Sequence, residues 1–172
     1  YLGLLCEQPD QRGFGVSELV SIDSIAAIAA RDNGWSRRWA ALCEPVPFAL
    51  QGHSYGTAPV FSQHEGQWLG RFNVRHVSEG VSRANSSDEI RIAIDEMHSI
   101  AYGSPHPETL RGWLDRGELL LFDNARFVHS RTDLSGEVAR RVKRFKLGID
   151  HRIPALTARS DLSSCGAPTN NL

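Results

Sequence analysis

Residues 117–132 read GELLLFDNARFVHSRT. The apolar run Leu119–Phe122 is typical of a buried strand, and the Asp123-Asn124 pair that follows it is typical of a turn. A second short strand then reaches His129. A histidine in such a place is more often a hydrogen-bonded structural residue than a metal ligand. By itself the stretch therefore predicts a strand, a turn and a strand, and it leaves the role of His129 open.

Short strand-like runs bounded by Gly, Pro and Asn recur along the whole chain, and no internal repeat is present. The predicted strands are Leu2–Cys6, Val46–Leu50, Pro59–Ser62, Gln67–Phe72, Glu118–Phe122, Arg126–His129 and Arg140–Ile149. Because these strands are short and do not alternate regularly with helices, they favour an antiparallel β-sandwich or jelly roll. We therefore predict a mainly β fold with flanking helices.

Two segments carry helical periodicity. The first is predicted to begin at Ser21 or Asp23 and to end at Asn33-Gly34, a pair that often stops helices. The second begins at the capping box SSDE, residues 86–89, and continues through Ala101. Apolar residues recur every turn in both segments, so both helices are predicted to pack as scaffold on the β core.

The charge balance and the apolar runs exclude two classes of protein. The chain has 172 residues, with 19 Lys and Arg against 20 Asp and Glu, whereas a dedicated nucleic-acid binder carries a clear basic excess. Its apolar runs, such as Ile25–Ala30 and Leu119–Phe122, are far shorter than the roughly 20 residues that cross a bilayer. We therefore expect neither nucleic acid nor a membrane among its partners.

The length of the chain suits one domain. We assign this domain to residues 1–154 and expect residues 155–172, which are rich in Ser, Thr, Pro and Asn, to form a loosely ordered tail. The three cysteines, Cys6, Cys43 and Cys165, cannot all pair with one another. They fit a reducing compartment, and we expect a cytoplasmic protein.

The 117–132 stretch resembles the distal motif of the clavaminate synthase and taurine dioxygenase superfamily of Fe(II)/2-oxoglutarate-dependent oxygenases. That motif runs G-D-L, two apolar residues, then x-D-N-x-R-x-x-H-x-R. This chain has GEL at residues 117–119, DNAR at 123–126 and HSR at 129–131. The basic residues that the superfamily carries downstream of the histidine are matched by Arg140 and Arg144.

The resemblance implies a double-stranded β-helix, or jelly roll, and the oxidation of a small molecule such as an amino acid or related metabolite. This oxidation is usually a hydroxylation that consumes O₂ and decarboxylates 2-oxoglutarate to succinate and CO₂. His129 would then be an Fe(II) ligand, Arg140 the anchor of the 2-oxoglutarate C5 carboxylate, and Arg144 a second cation for co-substrate or substrate. Ser17 stands near the position of a hydroxyl that touches 2-oxoglutarate in the superfamily.

These residue types suit that chemistry. Two histidines and one carboxylate leave one face of the iron open for the oxoacid and O₂. A guanidinium keeps its charge and donates two charge-assisted hydrogen bonds to a carboxylate. Strand alternation places Arg140, Val142 and Arg144 on one face. The other face, with Arg141 and Phe145, is more apolar, and Arg141 would be the anchor if that face lined the interior.

The proximal ligands of the superfamily come as H-x-D or H-x-E on an early strand, far upstream of the distal histidine. The one H-x-E of this chain, HPE at residues 106–108, lies close before His129 and contains a proline that restricts the backbone. We predict a turn and a helix start there. The opening residues, Tyr1–Cys6, resemble the strand that follows the superfamily's H-x-D/E loop. We therefore expect an upstream His and an Asp or Glu, preceding this chain, to complete the triad.

Other side chains offer weaker candidate sites. The residues that could be imagined around zinc are His53, His64, His76 and Cys43. They lack the close ligand pairs that fix the geometry of a zinc site, so we do not expect one. Either Arg71 or Arg75 could meet an acidic group of a substrate, although surface salt bridges are the commoner role for such arginines.

Two other functions remain open. A jelly-roll domain that has lost its iron site would bind ligands without catalysis, and the lack of an early H-x-D/E pair supports that alternative. The basic run at residues 140–146 could instead be a solvated edge strand or a module that binds acidic partners. Binding of an acidic partner would weaken when salt is added.

Overall fold

The computed structural model describes residues 1–10, 12–31, 33–102, 108–132 and 140–148. Within these residues the chain forms ten β-strands and four α-helices. The strands are β1 (Leu2–Gln8), β2 (Ser17–Ser21), β3 (Pro45–Leu50), β4 (His53–Pro59), β5 (Phe61–His64), β6 (Gln67–Gly70), β7 (Leu110–Gly112), β8 (Leu119–Phe122), β9 (Phe127–Arg131) and β10 (Arg141–Lys146). The helices are α1 (Ile22–Ala29), α2 (Asn33–Cys43), α3 (Val74–Arg83) and α4 (Asp88–Tyr102). The fold is mainly β with a few helices.

Six of the described strands form two antiparallel sheets. The first sheet has the strand order β10-β1-β8, and the second has the order β7-β2-β9. In the first sheet Leu4 of β1 pairs with Arg144 of β10 and with Leu120 of β8. In the second sheet Leu19 of β2 pairs with His129 of β9. The remaining strands form two hairpins, β3-β4 and β5-β6.

The two sheets share one apolar core. From β1 the buried residues are Leu2, Leu4 and Cys6. Leu19 of the second sheet belongs to the same cluster, and Val142 of β10 packs against it. Because residues paired across neighbouring strands project to the same side, Arg144 also lies on the inner face of the first sheet. This arrangement fits a β-sandwich, in which the inner faces of two sheets pack together.

The helices cover the outer face of the second sheet. Val20 of β2 and Val128 of β9 alternate with the inward residues Leu19 and His129, and both valines are buried in a second cluster with residues from all four helices. Within this cluster the ring of Trp39 from α2 stacks on Phe61 with the ring centroids 4.2 Å apart. The second sheet is thus buried on both faces, and the strand that carries His129 belongs to it.

Several predicted elements are confirmed. Strands β1, β3, β8, β9 and β10 overlap strands predicted from the sequence, and α4 begins inside the predicted capping box.

None of the helices in the described part of the chain is both long and apolar enough to cross a membrane. The predicted end of β10 at Ile149, the domain end at residue 154 and the tail at residues 155–172 lie outside the described residues.

The Asn33-Gly34 pair begins a helix, so the prediction that it ends one is wrong. Helix α1 already stops at Ala29, and the Ser36 hydroxyl of α2 donates a 2.9 Å hydrogen bond to the Ala29 carbonyl. Asparagine is favoured just before a helix as well as just after one, so the pair marks a break without giving its direction. The spacing of Trp35, Trp39 and Leu42 is the signal that could have revealed α2.

The predicted strand Gln67–Phe72 ends two residues earlier than expected. Strand β6 ends at Gly70 and α3 begins at Val74. The cause is local, because the Asn73 side-chain oxygen accepts a 3.3 Å hydrogen bond from the backbone N–H of His76 and so caps the helix. The segment between β6 and α3 therefore leaves the hairpin and turns into the helical layer.

The predicted strand Pro59–Ser62 is divided between two hairpins. Strand β4 ends at Pro59 and β5 begins at Phe61. Between them, the Val60 N–H donates to the Leu42 carbonyl at 2.9 Å, and the Val60 carbonyl accepts from the Arg71 N–H at 2.8 Å. These bonds lie outside either hairpin ladder. Val60 is therefore where the chain passes from one hairpin to the next.

The turn predicted near residues 106–108 leads into a strand and not into a helix. Glu108 lies in a turn, and β7 begins at Leu110 and pairs with β2. His106 and Pro107 lie outside the described residues. The helix prediction is wrong because pairing with β2, which sequence periodicity does not reveal, decides the conformation after Glu108.

Gly80 tests the contact between α3 and β3. A Cβ atom at Gly80 would clash with the Pro47 carbonyl and lie 2.7 Å from the Phe48 Cα, and a backbone cannot move aside as a side chain can. We expect Gly80→Ala to lower the free energy of unfolding by about 1–3 kcal/mol, because this overpacking outweighs the helix propensity of alanine. Urea denaturation measures the change.

Gly112 of β7 provides the matched control. A Cβ atom at Gly112 would meet nothing within 4 Å, so Gly112→Ala should change the free energy of unfolding by no more than about 0.5 kcal/mol. Equal effects of the two substitutions would contradict close packing of α3 on β3.

Candidate functional site

The Asp123-Asn124 turn connects the two sheets, because β8 belongs to the first sheet and β9 to the second. The Asp123 carboxylate accepts a 2.9 Å hydrogen bond from the Ala125 N–H. The backbone carbonyl of Asp123 accepts hydrogen bonds from the N–H groups of Arg126 and Phe127, at 3.0 and 3.1 Å respectively. The turn predicted from the sequence is therefore confirmed, and it closes through a short side chain that bonds to its own backbone.

The same turn is fastened to two neighbouring elements. The Ala125 carbonyl accepts a 2.8 Å hydrogen bond from the Gly70 N–H, and the Arg126 carbonyl accepts a 2.9 Å bond from the Ile22 N–H. The Arg126 guanidinium also lies 3.5 Å from the Asp23 carboxylate. The start of β9 is thus held by the end of β6 and by the start of α1.

His129 lies on the inner face of the second sheet, between the two sheets. Its ring faces Phe122 of the first sheet, with the ring centroids 5.3 Å apart. The Nε2 atom is buried and has no hydrogen-bond partner among the described residues. A buried ring nitrogen without a partner carries a desolvation cost, which a bound metal ion would offset.

The surroundings keep His129 uncharged. Burial is the main cause that lowers the pKa of His129 to about 4, and the positive charges of Arg140 and Arg131 lower it further. A metal ligand needs an imidazole that carries no proton on the donor nitrogen. Near neutral pH His129 meets that requirement.

Ser17 and Arg140 lie together beside this histidine. Ser17 is buried on β2, two residues from Leu19 and on the same inner face. The Arg140 guanidinium donates a 3.5 Å hydrogen bond to the Ser17 hydroxyl. Since the Arg140 charge also acts on His129, the structure brings together three of the four residues that the sequence analysis singled out.

Arg144 and His129 both line a cavity of about 530 Å³. Both sheets contribute to this wall, through Leu2 and Arg144 of the first sheet and Phe127 and His129 of the second. Arg140 does not line the cavity. His129 therefore lines the cavity and also lies near Arg140, which is hydrogen-bonded to Ser17.

Arg141 lies apart from this group. It is exposed and lines a separate groove with Glu7 and Arg116. Val142 of β10 packs against the core. Arg144, two positions later on the same strand, lines the cavity. The alternation predicted for this strand thus holds, with the less apolar face directed inward.

Sequence reasoning missed two further residues of the cavity wall. Lys146 lines the cavity two positions after Arg144, and the same alternation could have revealed it. His76 of α3 also lines it and packs against the Tyr55 ring at a centroid distance of 5.8 Å. Arg71 lines the cavity, whereas Arg75 does not. No local sequence signal could have placed His76 on this wall, because its position depends on how helix α3 packs against the sheets.

Two histidines among the described residues, His76 and His129, line this cavity, and His129 is the one with a buried, unpartnered ring nitrogen. No group of three or more His, Cys, Asp or Glu side chains that could hold a metal ion occurs among them. His129 alone combines a location between the sheets, an unpartnered nitrogen and an uncharged ring. These properties fit one position of a site that needs further ligands.

Comparisons with solved structures show which known proteins share the fold of this chain. No protein-family model and no curated protein matches the chain. The structure of asparagine oxygenase in complex with Fe(II), 2S,3S-3-hydroxyasparagine and succinate is 20% identical, covers 83% of this chain and has a TM-score of 0.64. A second structure, of asparagine oxygenase (AsnO), is 19% identical over 83% of this chain, with a TM-score of 0.62. The chain spans only 43% and 42% of those two chains, respectively.

The pKa of His129 can be measured directly. We expect an NMR titration of the metal-free chain to show protonation of His129 near pH 4, against an ordinary value of 6.5. Because the unfolded chain takes up this proton first, stability from His129 is complete above pH 6.5 and is lost as the pH falls towards about 4. A His129→Gln variant should lack that part of the pH dependence in urea denaturation. A midpoint near 6.5 would contradict the burial of the ring.

Proposed function

We propose that this chain carries part of the active site of an Fe(II)/2-oxoglutarate-dependent oxygenase. The enzyme oxidises, and most often hydroxylates, a small molecule such as an amino acid or a related metabolite. The observation that carries the proposal is the buried, unpartnered Nε2 of His129 beside the charge of Arg140. The fold shared with a protein that holds Fe(II) and succinate supports it.

A double-stranded β-helix is the finer architecture that we propose. The supporting observation is that β8 and β9 follow each other in sequence yet belong to different sheets. Strand crossings of this kind are typical of jelly rolls, whose two sheets exchange consecutive strands. The shared fold with asparagine oxygenase is consistent with this architecture.

His129 would hold Fe(II) through Nε2. Iron held there would supply the oxidation by O₂ that is coupled to decarboxylation of 2-oxoglutarate to succinate and CO₂. Phe122 packs against the His129 ring and so restricts its rotation. Burial between the sheets keeps water away from the donor nitrogen. Both effects keep the imidazole oriented and uncharged for a metal ion.

Arg140 would bind the C5 carboxylate of 2-oxoglutarate. A guanidinium offers a planar pair of N–H donors that matches a carboxylate and keeps its charge at every physiological pH. The Ser17 hydroxyl, which accepts a hydrogen bond from Arg140, orients this guanidinium and has a proton of its own to donate. The pair would therefore select and orient the co-substrate beside His129.

Arg144 would serve as the second cation, for the co-substrate or for the substrate. It lines the cavity that reaches His129, so a molecule in the cavity can contact both residues. Apolar side chains such as Ile22 and Phe127 form other parts of the wall. These surfaces exclude water from one side of a bound small molecule, which strengthens its polar contacts on the other side.

Metal binding tests the role of His129. In the intact protein we expect His129→Ala to weaken Mn(II) binding by more than about tenfold, because a facial triad has no spare ligand. Mn(II) stands in for Fe(II), and isothermal titration calorimetry measures its affinity without relying on turnover.

His64→Ala is the matched control, since His64 is an exposed histidine of β5 and its loss should leave Mn(II) affinity unchanged. Equal affinity in His129→Ala and in the unaltered protein would exclude the ligand role. It would favour the alternative of a jelly-roll domain that binds ligands without catalysis.

The co-substrate anchor is tested at two adjacent arginines. Charge-assisted hydrogen bonds contribute roughly 1.5–3 kcal/mol, so Arg140→Ala should raise the 2-oxoglutarate concentration required for succinate production about ten- to a hundredfold. Lysine at the same position should restore only part of the affinity, because an ammonium lacks the planar pair of donors.

Arg141→Ala is the control on the same strand, since Arg141 is exposed and lies outside the cavity beside His129. We expect it to change the 2-oxoglutarate requirement by less than about twofold. A large effect at Arg141 with none at Arg140 would move the anchor to the other face of β10.

A further inference from the structure

Strand β9 carries a second basic residue to which the proposed reaction assigns no role. Arg131 follows His129 by two positions, so both side chains project to the inner face of the second sheet. Phe127 precedes His129 by the same spacing and lines the cavity, whereas Arg131 does not line it. Along this face His129 therefore lies between the cavity on one side and Arg131 on the other.

Arg131 lies directly opposite Ser17. The two residues are paired across β2 and β9, and the Cβ atoms of such a pair are about 4.5–5.5 Å apart. The Ser17 hydroxyl also accepts the 3.5 Å hydrogen bond from the Arg140 guanidinium. Two arginines, one at the end of β9 and one just before β10, thus adjoin the same buried serine.

The charges around His129 are consistent with this arrangement. Burial is the main cause that lowers the pKa of His129, and the charges of Arg140 and Arg131 lower it further, so both arginines lie near the ring. Two like charges close together repel each other, and a carboxylate between them is attracted by both. Arg131 is exposed and Arg140 is half-buried. Solvent therefore screens Arg131 more, and its contribution should be the smaller one.

We propose that Arg131 is a second binding residue for the C5 carboxylate of 2-oxoglutarate, acting together with Arg140 and Ser17. The inference rests on the proposed function, which brings the co-substrate beside His129. It assigns the two sides of His129 to different ligands, with the cavity for the substrate and the arginines at Ser17 for the co-substrate. A carboxylate has two oxygens and can accept hydrogen bonds from both guanidinium groups at once.

Two probes of equal chain length isolate the effect of the C5 carboxylate. They are 2-oxoglutarate and 2-oxopentanoate, which has the same five carbons and the same 2-oxo acid group but ends in a methyl group. Each is titrated to saturation by calorimetry into the intact protein loaded with Mn(II). We expect Arg131→Ala to weaken binding of 2-oxoglutarate about three- to tenfold and to change that of 2-oxopentanoate by less than about twofold. The loss is selective because one probe alone carries the carboxylate that Arg131 binds.

Arg111→Ala is the matched control in the same sheet. The Arg111 guanidinium lies 2.9 Å from the Glu18 carboxylate, and Glu18 projects to the face opposite that of Ser17. Its loss should change the affinity for 2-oxoglutarate by less than about twofold. Arg131→Lys should retain part of that affinity, because lysine keeps the charge and lacks the planar pair of donors.

Two results would overturn the role of Arg131. One is an unchanged affinity for 2-oxoglutarate in Arg131→Ala. The other is an equal loss for both probes, which a general disturbance of β9 would produce.

Failure of this inference is distinguishable from failure of the proposed function. If Arg140→Ala weakens binding of 2-oxoglutarate and Arg131→Ala does not, the co-substrate site stands and the role of Arg131 is overturned. If both substitutions weaken it selectively while His129→Ala leaves Mn(II) binding unchanged, the role of Arg131 stands and the iron assignment fails. An intact protein that does not bind 2-oxoglutarate would overturn both.

Discussion

The turn at Asp123–Arg126 is the constraint on which the candidate site depends. It joins a strand of one sheet to a strand of the other, so the inner faces of the sheets must meet beside it. Its carbonyls hold the N–H groups of Ile22 and Gly70, which fastens α1 and the β5-β6 hairpin to the same point. Because His129 lies shortly after this turn on a strand paired along its length with β2, the position of its ring follows from the turn.

Positive charge has two effects around His129. The nearby Arg140 and Arg131 disfavour a protonated imidazole, and burial does so more strongly, so the ring stays uncharged and able to donate to a metal. The same cations attract anionic molecules, such as a dicarboxylate co-substrate. The same arginines therefore keep the imidazole unprotonated and attract anionic partners.

The helical layer contributes to the site as well as to the core. Asn73 caps α3, which directs the preceding segment with Arg71 along the cavity wall and brings His76 to the same wall. Gly80 allows α3 to approach the backbone of β3 closely. Helices that pattern alone predicts to be scaffold thus also shape the cavity, because packing on the second sheet decides which of their residues reach it.

The sequence by itself determined the local features of this protein. The Asp123 turn, the start of α4 and the alternation along β10 depend on residues a few positions apart, so they could be predicted. The resemblance to the superfamily pointed to His129, Arg140, Arg144 and Ser17 as a group. Only the tertiary structure decided which face of β10 lies inward. Apolar content favoured the face with Phe145, yet pairing of Leu4 with Arg144 directs the other face to the cavity and leaves Leu119 and Leu121 of β8 about half exposed. The physical reason is that strand pairing joins residues distant in the chain, and periodicity along one strand contains no information about its partner.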